Sequence, residues 1–282
     1  MKKNGLLLSA LVLSPLSLAL ANTTDISIVN NTAKISHHEN KSVVTVSEKD
    51  NSNLSHIKYD KFNVGSEGLT FNNHIGADTI INEVVSQSAS ELNGEIRIEG
   101  KKAKFTLVNP NGIVCNSGCH FINTTSANLV VGVKMLTPYR IIGGFSHENK
   151  LIIKNTTKKI AEKLIINSPN IEIEKSHIIA DEISINNIYS YINNTLSRAK
   201  ITIDKQSKIE ANDINIRILE TTFENNGTIS GKIDAKLSYS DIINNGKITV
   251  NSGSKINNIN TKLSGNRQNI IFIKNHMPYI FN

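Results

Sequence analysis

Cys115 and Cys119, with His120 beside them, are the residues of this chain whose types and spacing come nearest to a reactive centre. Asn116-Ser117-Gly118 separates the thiols, and C-x-x-x-C is not the oxidoreductase spacing. Two thiols and one imidazole, with no second ligand cluster, do not complete a tetrahedral zinc site. His37-His38-Glu39 offers imidazoles and a carboxylate. Neighbours on a strand point to opposite faces, so a solvated loop or edge is expected there rather than a shared metal or proton-transfer site. Asp25, Asp78, Glu83 and Glu91 supply carboxylates, but no motif aligns two of them on a sugar or a peptide. GxSxG, the P-loop and GxGxxG are all absent. These patterns predict no enzyme, no metal and no cofactor.

The elements that hold such residues are set by composition. The chain has 282 residues, 43 of them Ile and 39 Asn. So much Ile excludes a disordered polar chain. Ile favours strands and Asn favours turns, so the balance disfavours a helical bundle. A formal charge of +7 admits an anionic partner such as nucleic acid or a membrane surface. With no dense basic run, no Trp and 5% aromatics to stack on bases, lysines spread over a solvated surface are expected instead, and no nucleic acid partner.

Residues 1–21 read as a secretory signal peptide. Lys2 and Lys3 form the positive start, Leu6 to Leu20 the apolar core, and Ala19-Leu20-Ala21 the small-x-small cleavage site. The mature chain is expected to begin at Asn22. The alternative is an uncleaved anchor, for which the apolar run is short against the roughly 20 residues of a span. Cleavage and export would place the product in an oxidising space.

Beyond the leader, alternation dominates. Ser27-Ile28-Val29, Val43 to Val46, Glu95 to Ile98, Phe105 to Val108, Ile171 to Ile173, Ile183 to Ile185, Ile201 to Ile203, Ile214 to Ile218 and Ile248 to Val250 are strand candidates bounded by turn residues. Lys158 to Ile166 is the best helical stretch, and it is weak. Asn225-Asn226-Gly227-Thr228-Ile229-Ser230 and Asn244-Asn245-Gly246-Lys247-Ile248-Thr249 are a faint repeat. Short strands with a period near 20 suggest a solenoid with Ile inward and Asn in turns or side-chain ladders. A sandwich or barrel is the competing all-β answer.

The stretch from Tyr59 to Gly132 carries KFNV (61–64), INEV (81–84), LNGEIRIEGKKA (92–103), NPNGI (109–113), the Cys pair and FINT (121–124), in that order. This succession resembles the two-partner secretion domain at the N-terminus of filamentous haemagglutinins, haemolysins of that export class and contact-dependent growth-inhibition exoproteins. The resemblance implies a right-handed parallel β-helix with short extra-helical hairpins. It implies recognition in the periplasm by an outer-membrane β-barrel of the Omp85 class, and no catalysis. It implies a product secreted from, or held on the surface of, a Gram-negative cell. A host-cell surface or target-cell receptor would be met through a passenger segment. The alternatives are a β-helical carbohydrate-active enzyme, which would need a row of acidic or basic side chains along one outer groove, and a truncated remnant without function.

On this reading residues 22–220 are the secretion domain. Residues 221–282 are a degenerate β-helix continuation or a truncated passenger, because the glycine-rich text of the family is missing there. About 20–25 residues per coil gives at most roughly 10–13 coils. Asn109, Pro110, Asn111, Gly112 and Ile113 form a rigid corner: Pro110 fixes φ, Asn109 can close an Asx-turn, and Asn111-Gly112 can take turn conformations closed to most residues. The corner either serves the fold alone or is also needed for secretion, as a surface element open to a partner. Given export, Cys115 and Cys119 are expected to form a local disulfide, one residue longer than the family's usual C-x-G-C. Two buried small apolar residues are the alternative.

Overall fold

The computed structural model describes residues 23–38, 41–134, 141–143, 149–187, 191–192, 195–196 and 198–273. Ala19, Ala21 and Asn22, like the rest of the leader and Glu39, lie outside them. Among the described residues there is no α-helix, only one short 3-10 turn at Arg267–Asn269. The strands stack into a parallel β-helix of about 9 turns.

Period-two alternation makes the coils. Lys150–Lys154, Asn170–Glu174, Ala199–Ile203 and Thr221–Asn225 each put every second side chain inward. The parallel register then stacks Leu151, Ile171, Ile201, Phe223 and Ile242 into one interior column. A branched aliphatic in all but one layer, where Phe223 stands, fills the space above its predecessor, so one residue type largely specifies the repeated coil. The weak helical stretch is overridden by this context, and Lys163–Asn167 is a strand.

Three sheets form the walls. The longest runs from Asp25–Ile28 through Leu54–Asn63, Thr79–Val84, Ala103–Val108 and Thr124–Val130, then Lys163–Asn167, His177–Asn186, Lys208–Leu219, Thr228–Ser238 and Lys247–Val250, to Ile270–Phe272. An eight-stranded sheet runs from Ser90–Leu92 through Ile113–Cys115 to Lys262–Gly265. A five-stranded sheet holds Ala33–His38, Lys41–Val46, Leu69–Asn73, Glu95–Gly100 and His120–Ile122. Two antiparallel hairpins, Gly132–Lys134 with Ile141–Gly143 and Tyr191–Ile192 with Thr195–Leu196, stand outside these sheets. Sheet order continues unchanged across residue 220.

Corners are closed by small polar residues that serve the next coil. Ser176 Oγ accepts from the Thr156 N–H (3.2 Å), and Ser207 Oγ accepts from the Ser176 N–H (3.1 Å). Asn225 Nδ2 donates to Asn244 Oδ1 (2.8 Å), and Asn245 Nδ2 to Asn226 Oδ1 (2.9 Å), so the repeat seen in the sequence is an Asn ladder. The helix ends differ. Asp25–Ile28 and the hairpin Ala33–His38/Lys41–Val46 pair antiparallel and close the first coil. His37 lies on the outermost strand of that cap, as an edge residue.

Candidate functional site

The corner at 109–113 follows Ala103–Val108 on the long sheet and precedes Ile113–Cys115 on the next wall. Asn109 is fully buried, which differs from the expectation of a surface element. Its Nδ2 donates to Ser88 O and Ser90 Oγ, both at 2.9 Å. Its Oδ1 accepts from the Asn111 N–H (2.9 Å), the Asx-turn read from the sequence, and from Asn111 Nδ2 (3.1 Å). Asn111 Nδ2 also reaches Ser86 O (2.8 Å) in the coil before, and Asn149 Nδ2 donates to Pro110 O (2.7 Å) from the coil after. The corner is therefore stitched to both neighbours. Pro110 and Asn111 stay half-exposed, while Gly112 and Ile113 are buried. Gly112 has φ +115°, and a Cβ there would press on Lys150 O, so Gly is required.

Sequence reasoning missed the serines on the other side of this network. Ser86-Gln87-Ser88-Ala89-Ser90 alternates small polar residues, and that alternation was the available signal. It also missed Asn73, which closes a buried turn through Ala77 N and O and donates to Lys101 O. Within INEV, Asn82 Oδ1 accepts from the buried Tyr59 hydroxyl (2.9 Å) and its Nδ2 donates to Thr106 O (3.2 Å). Burial pushes the Tyr59 hydroxyl pKa well up, so that proton stays in the bond.

Cys115 and Cys119 are joined as a disulfide with Cα atoms 5.4 Å apart, inside the usual range despite the longer loop. Cys119 N donates to Asn116 O (2.8 Å), and a Cβ at Gly118 would collide with Asn93 O on the preceding coil. His120 bridges Gly118 O and Glu95 Oε2, and Arg97 holds Glu95 Oε1 at 2.6 Å. Partial burial works to raise the Glu95 carboxyl, but hydrogen bonds and charges from Arg97 and His120 outweigh it and hold it below its ordinary value. No group of three metal-ligating side chains occurs among the described residues. Of the carboxylates considered for catalysis, Asp25 pairs with Lys61, Asp78 with Lys101 and Glu83 with His56, on separate strands and turns. What the 109–119 region can do chemically is hold a shape: its polar groups are spent on each other.

A profile of the TPS secretion domain matches residues 21–276. The hemolysin of Proteus mirabilis is 39% identical over 32% of this chain and 7% of its own length. The tRNA nuclease CdiA of Yersinia mollaretii is 38% identical over 33% of this chain and 4% of its own. The hemolysin of Serratia marcescens is 33% identical over 49% and 10%. The chain thus spans a tenth or less of these curated relatives. Among solved structures, the filamentous hemagglutinin secretion domain superposes with a TM-score of 0.63 at 16% identity, covering 85% of this chain and 95% of that one, a likeness of fold. With a stitched NPNGI corner on a parallel β-helix and a profile match over nearly its whole length, the chain belongs to the family of TPS secretion domains.

Proposed function

We propose that the domain leaves the cell through an outer-membrane β-barrel of the Omp85 class, which binds it in the periplasm after cleavage between Ala21 and Asn22. The Asn109–Ile113 corner must be intact for that step. The domain works by being bound and by folding, without catalysis of its own. A haemolysin class fits the names of two relatives and a haemagglutinin (adhesin) class the structural neighbour, and contact with a host or target cell would fall to a passenger.

The observation that carries this reading is the division of labour in the corner. Asn109 is fully buried and spends its amide on Ser88, Ser90 and Asn111, while Pro110 and Asn111, which carry the ties to Asn149 and Ser86, leave a half-exposed rim. Folding thus fixes the shape of a small surface that a partner can read. Asn109→Asp cannot separate the two roles, since it puts a charge where amide donors are needed. Pro110→Ala can: the side chain makes no hydrogen bond, so the melting temperature should move by only a few degrees, corresponding to about 1 kcal/mol. The secreted fraction with the barrel co-expressed should nevertheless fall severalfold, and the secreted product should begin at Asn22. If secretion simply follows melting temperature across a set of corner variants, the corner serves folding and the recognition role is lost.

A further inference from the structure

The loop at 85–89 is held from behind by the corner that follows it. It joins Thr79–Val84 to Ser90–Leu92, and so makes the same bend as 109–112 one coil earlier. Exposure alternates along it. Val85, Gln87 and Ala89 are exposed, Val85 at 52%, while Ser86 and Ser88 are half-buried. The half-buried residues carry the ties. Asn111 Nδ2 donates to Ser86 O (2.8 Å), and Asn109 Nδ2 donates to Ser88 O (2.9 Å). The Ser86 hydroxyl donates to Asp60 O on the coil before and accepts from the Ser88 N–H (3.1 Å). At the two ends, the Val85 N–H is fixed to Tyr59 O and the Ser90 N–H to Gly112 O. Every second residue is thus tied inward, and the three between them stand in solvent.

A surface loop is ordinarily mobile and loses that freedom when it is bound. Here the asparagines of the next coil order the loop in advance, so the cost of ordering it on binding is smaller. Through Asn111 it is continuous with the Pro110–Asn111 rim. Both segments are uncharged: no Asp, Glu, Lys or Arg occurs from Val84 to Ser90 or from Phe105 to Cys119, in a chain with 20% charged residues. An anionic lipid surface is held by cations, and these segments offer none. They fit a protein surface with an apolar pocket for Val85 and an amide-bonding group for Gln87.

We propose that residues 85–89, together with the Pro110–Asn111 rim, are the surface that the outer-membrane barrel reads, and that Asn109 and Asn111 are positioning residues that hold the loop for it. This rests on the corner being needed for export, but moves the main contacts to the coil before it. Val85 and Gln87 make those contacts, and the asparagines act through the loop they anchor.

The test keeps the full chain and co-expresses the barrel. Val85→Glu and Gln87→Lys should each lower the secreted fraction at least about tenfold, as loss of a central contact does. Gln87→Ala, which adds no charge, should lower it severalfold. Both side chains stand in solvent, so the melting temperatures should stay within about 2 °C of the parent. Gln206→Lys, at an exposed site on a later coil, should be secreted normally. A photo-crosslinking amino acid in place of Gln87 should trap the barrel, and one in place of Gln206 should not. Adding Asn111→Ala should weaken the crosslink from position 87 in the molecules that remain folded, which a role in stability alone would not produce. Normal secretion of the variants at 85 and 87, with Pro110→Ala still deficient, would overturn this surface and leave the corner reading standing. Normal secretion of all of them, Pro110→Ala included, would remove both. A crosslink from position 87 only to a second copy of the chain would assign the loop to self-association and overturn the proposal. So would secretion at 85 and 87 that falls only in step with melting temperature.

Discussion

Residues 23–131 and residues 199–273 build the same coil from different materials. The first region stacks rings: Phe105 lies 5.7 Å from Phe71, 6.3 Å from Phe62 and 5.2 Å from Phe121, and Tyr59 meets Phe62 edge-on at 5.0 Å. The aromatic side chains that are fully buried, Tyr59, Phe62, Phe71 and Phe105, all lie in this region. Antiparallel strands close its end, a disulfide pins a corner, and Asn73, Asn82 and Asn109 are spent on buried bonds. The last region repeats one layer of Ile and Asn, and its seal loosens along the axis. Ile201 and Ile203 are wholly buried, Leu237 and Ile242 reach 7% exposure, and Ile256, Leu263 and Ile270 are only partly covered. A solenoid coil is stabilised by its neighbours, so a terminal coil needs special residues to finish it. Here the special residues sit at the N-terminal end.

The contrast is tested hardest in the two aromatic environments. Phe105→Ala removes a ring packed among three others and should cost about 3–5 kcal/mol. Phe223→Ala removes a buried ring stacked between Ile201 and Ile242, with no second ring packed on it among the described residues, and should cost less, about 3 kcal/mol. Urea unfolding of both variants checks this, with amide exchange to show whether coils beyond residue 199 open first. Equal costs and uniform exchange would erase the distinction between the regions.

Buried asparagines give the next largest effect. Asn109→Ala leaves Ser90 Oγ, Ser88 O and the Asn111 N–H without their partner, at about 2–3 kcal/mol. Asn244→Ala breaks bonds to Asn225, Gly246 and Asn266. Asn244 is as fully buried as Asn109, but its bonds to Gly246 and Asn266 are only partly covered, so a somewhat smaller loss of about 1–2 kcal/mol is expected. Calorimetric melting of the pair decides whether a buried network at one corner is worth more than a buried ladder in the other region. A loss of about 2 kcal/mol by loop-closure entropy is expected from Cys115→Ser with Cys119→Ser, and thiol labelling of unreduced protein should find both cysteines blocked.

The sequence is most legible where the structure is most repetitive. Ile alternation marked the strands, and the 225/244 repeat marked a ladder that the register confirms residue for residue. Asn109-Pro110-Asn111-Gly112 announced a turn because Pro and Gly restrict the backbone locally. Its burial did not follow, since that depends on Ser86–Ser90 and Asn149 from adjacent coils, more than 18 residues away in either direction. The cap was hidden for the same reason: antiparallel and parallel strands share one alternation, and only their neighbours differ.

The finest comparison is between two carboxylates, one in each region. Glu95 is held below its ordinary 4.5 because Arg97 and His120 outweigh its partial burial. Glu210 is held below it chiefly by Lys208, then His177. Both folded values are depressed, so the unfolded chain takes up protons first as the pH falls. Each group's contribution is therefore complete above about pH 4.5 and disappears as the pH falls through its folded value. Glu95 is 33% exposed and Glu210 48%, so solvent screening keeps each below about 1 kcal/mol, with Glu210 the smaller and more salt-sensitive. Glu95→Gln and Glu210→Gln should thus lower the melting temperature slightly at pH 7, Glu95→Gln the more, and both differences should vanish near pH 3. A gap that persists at pH 3 would mean that the side chain matters through packing rather than charge. A larger loss for Glu210→Gln would place the stronger electrostatic tie in the C-terminal region, against the order that burial predicts.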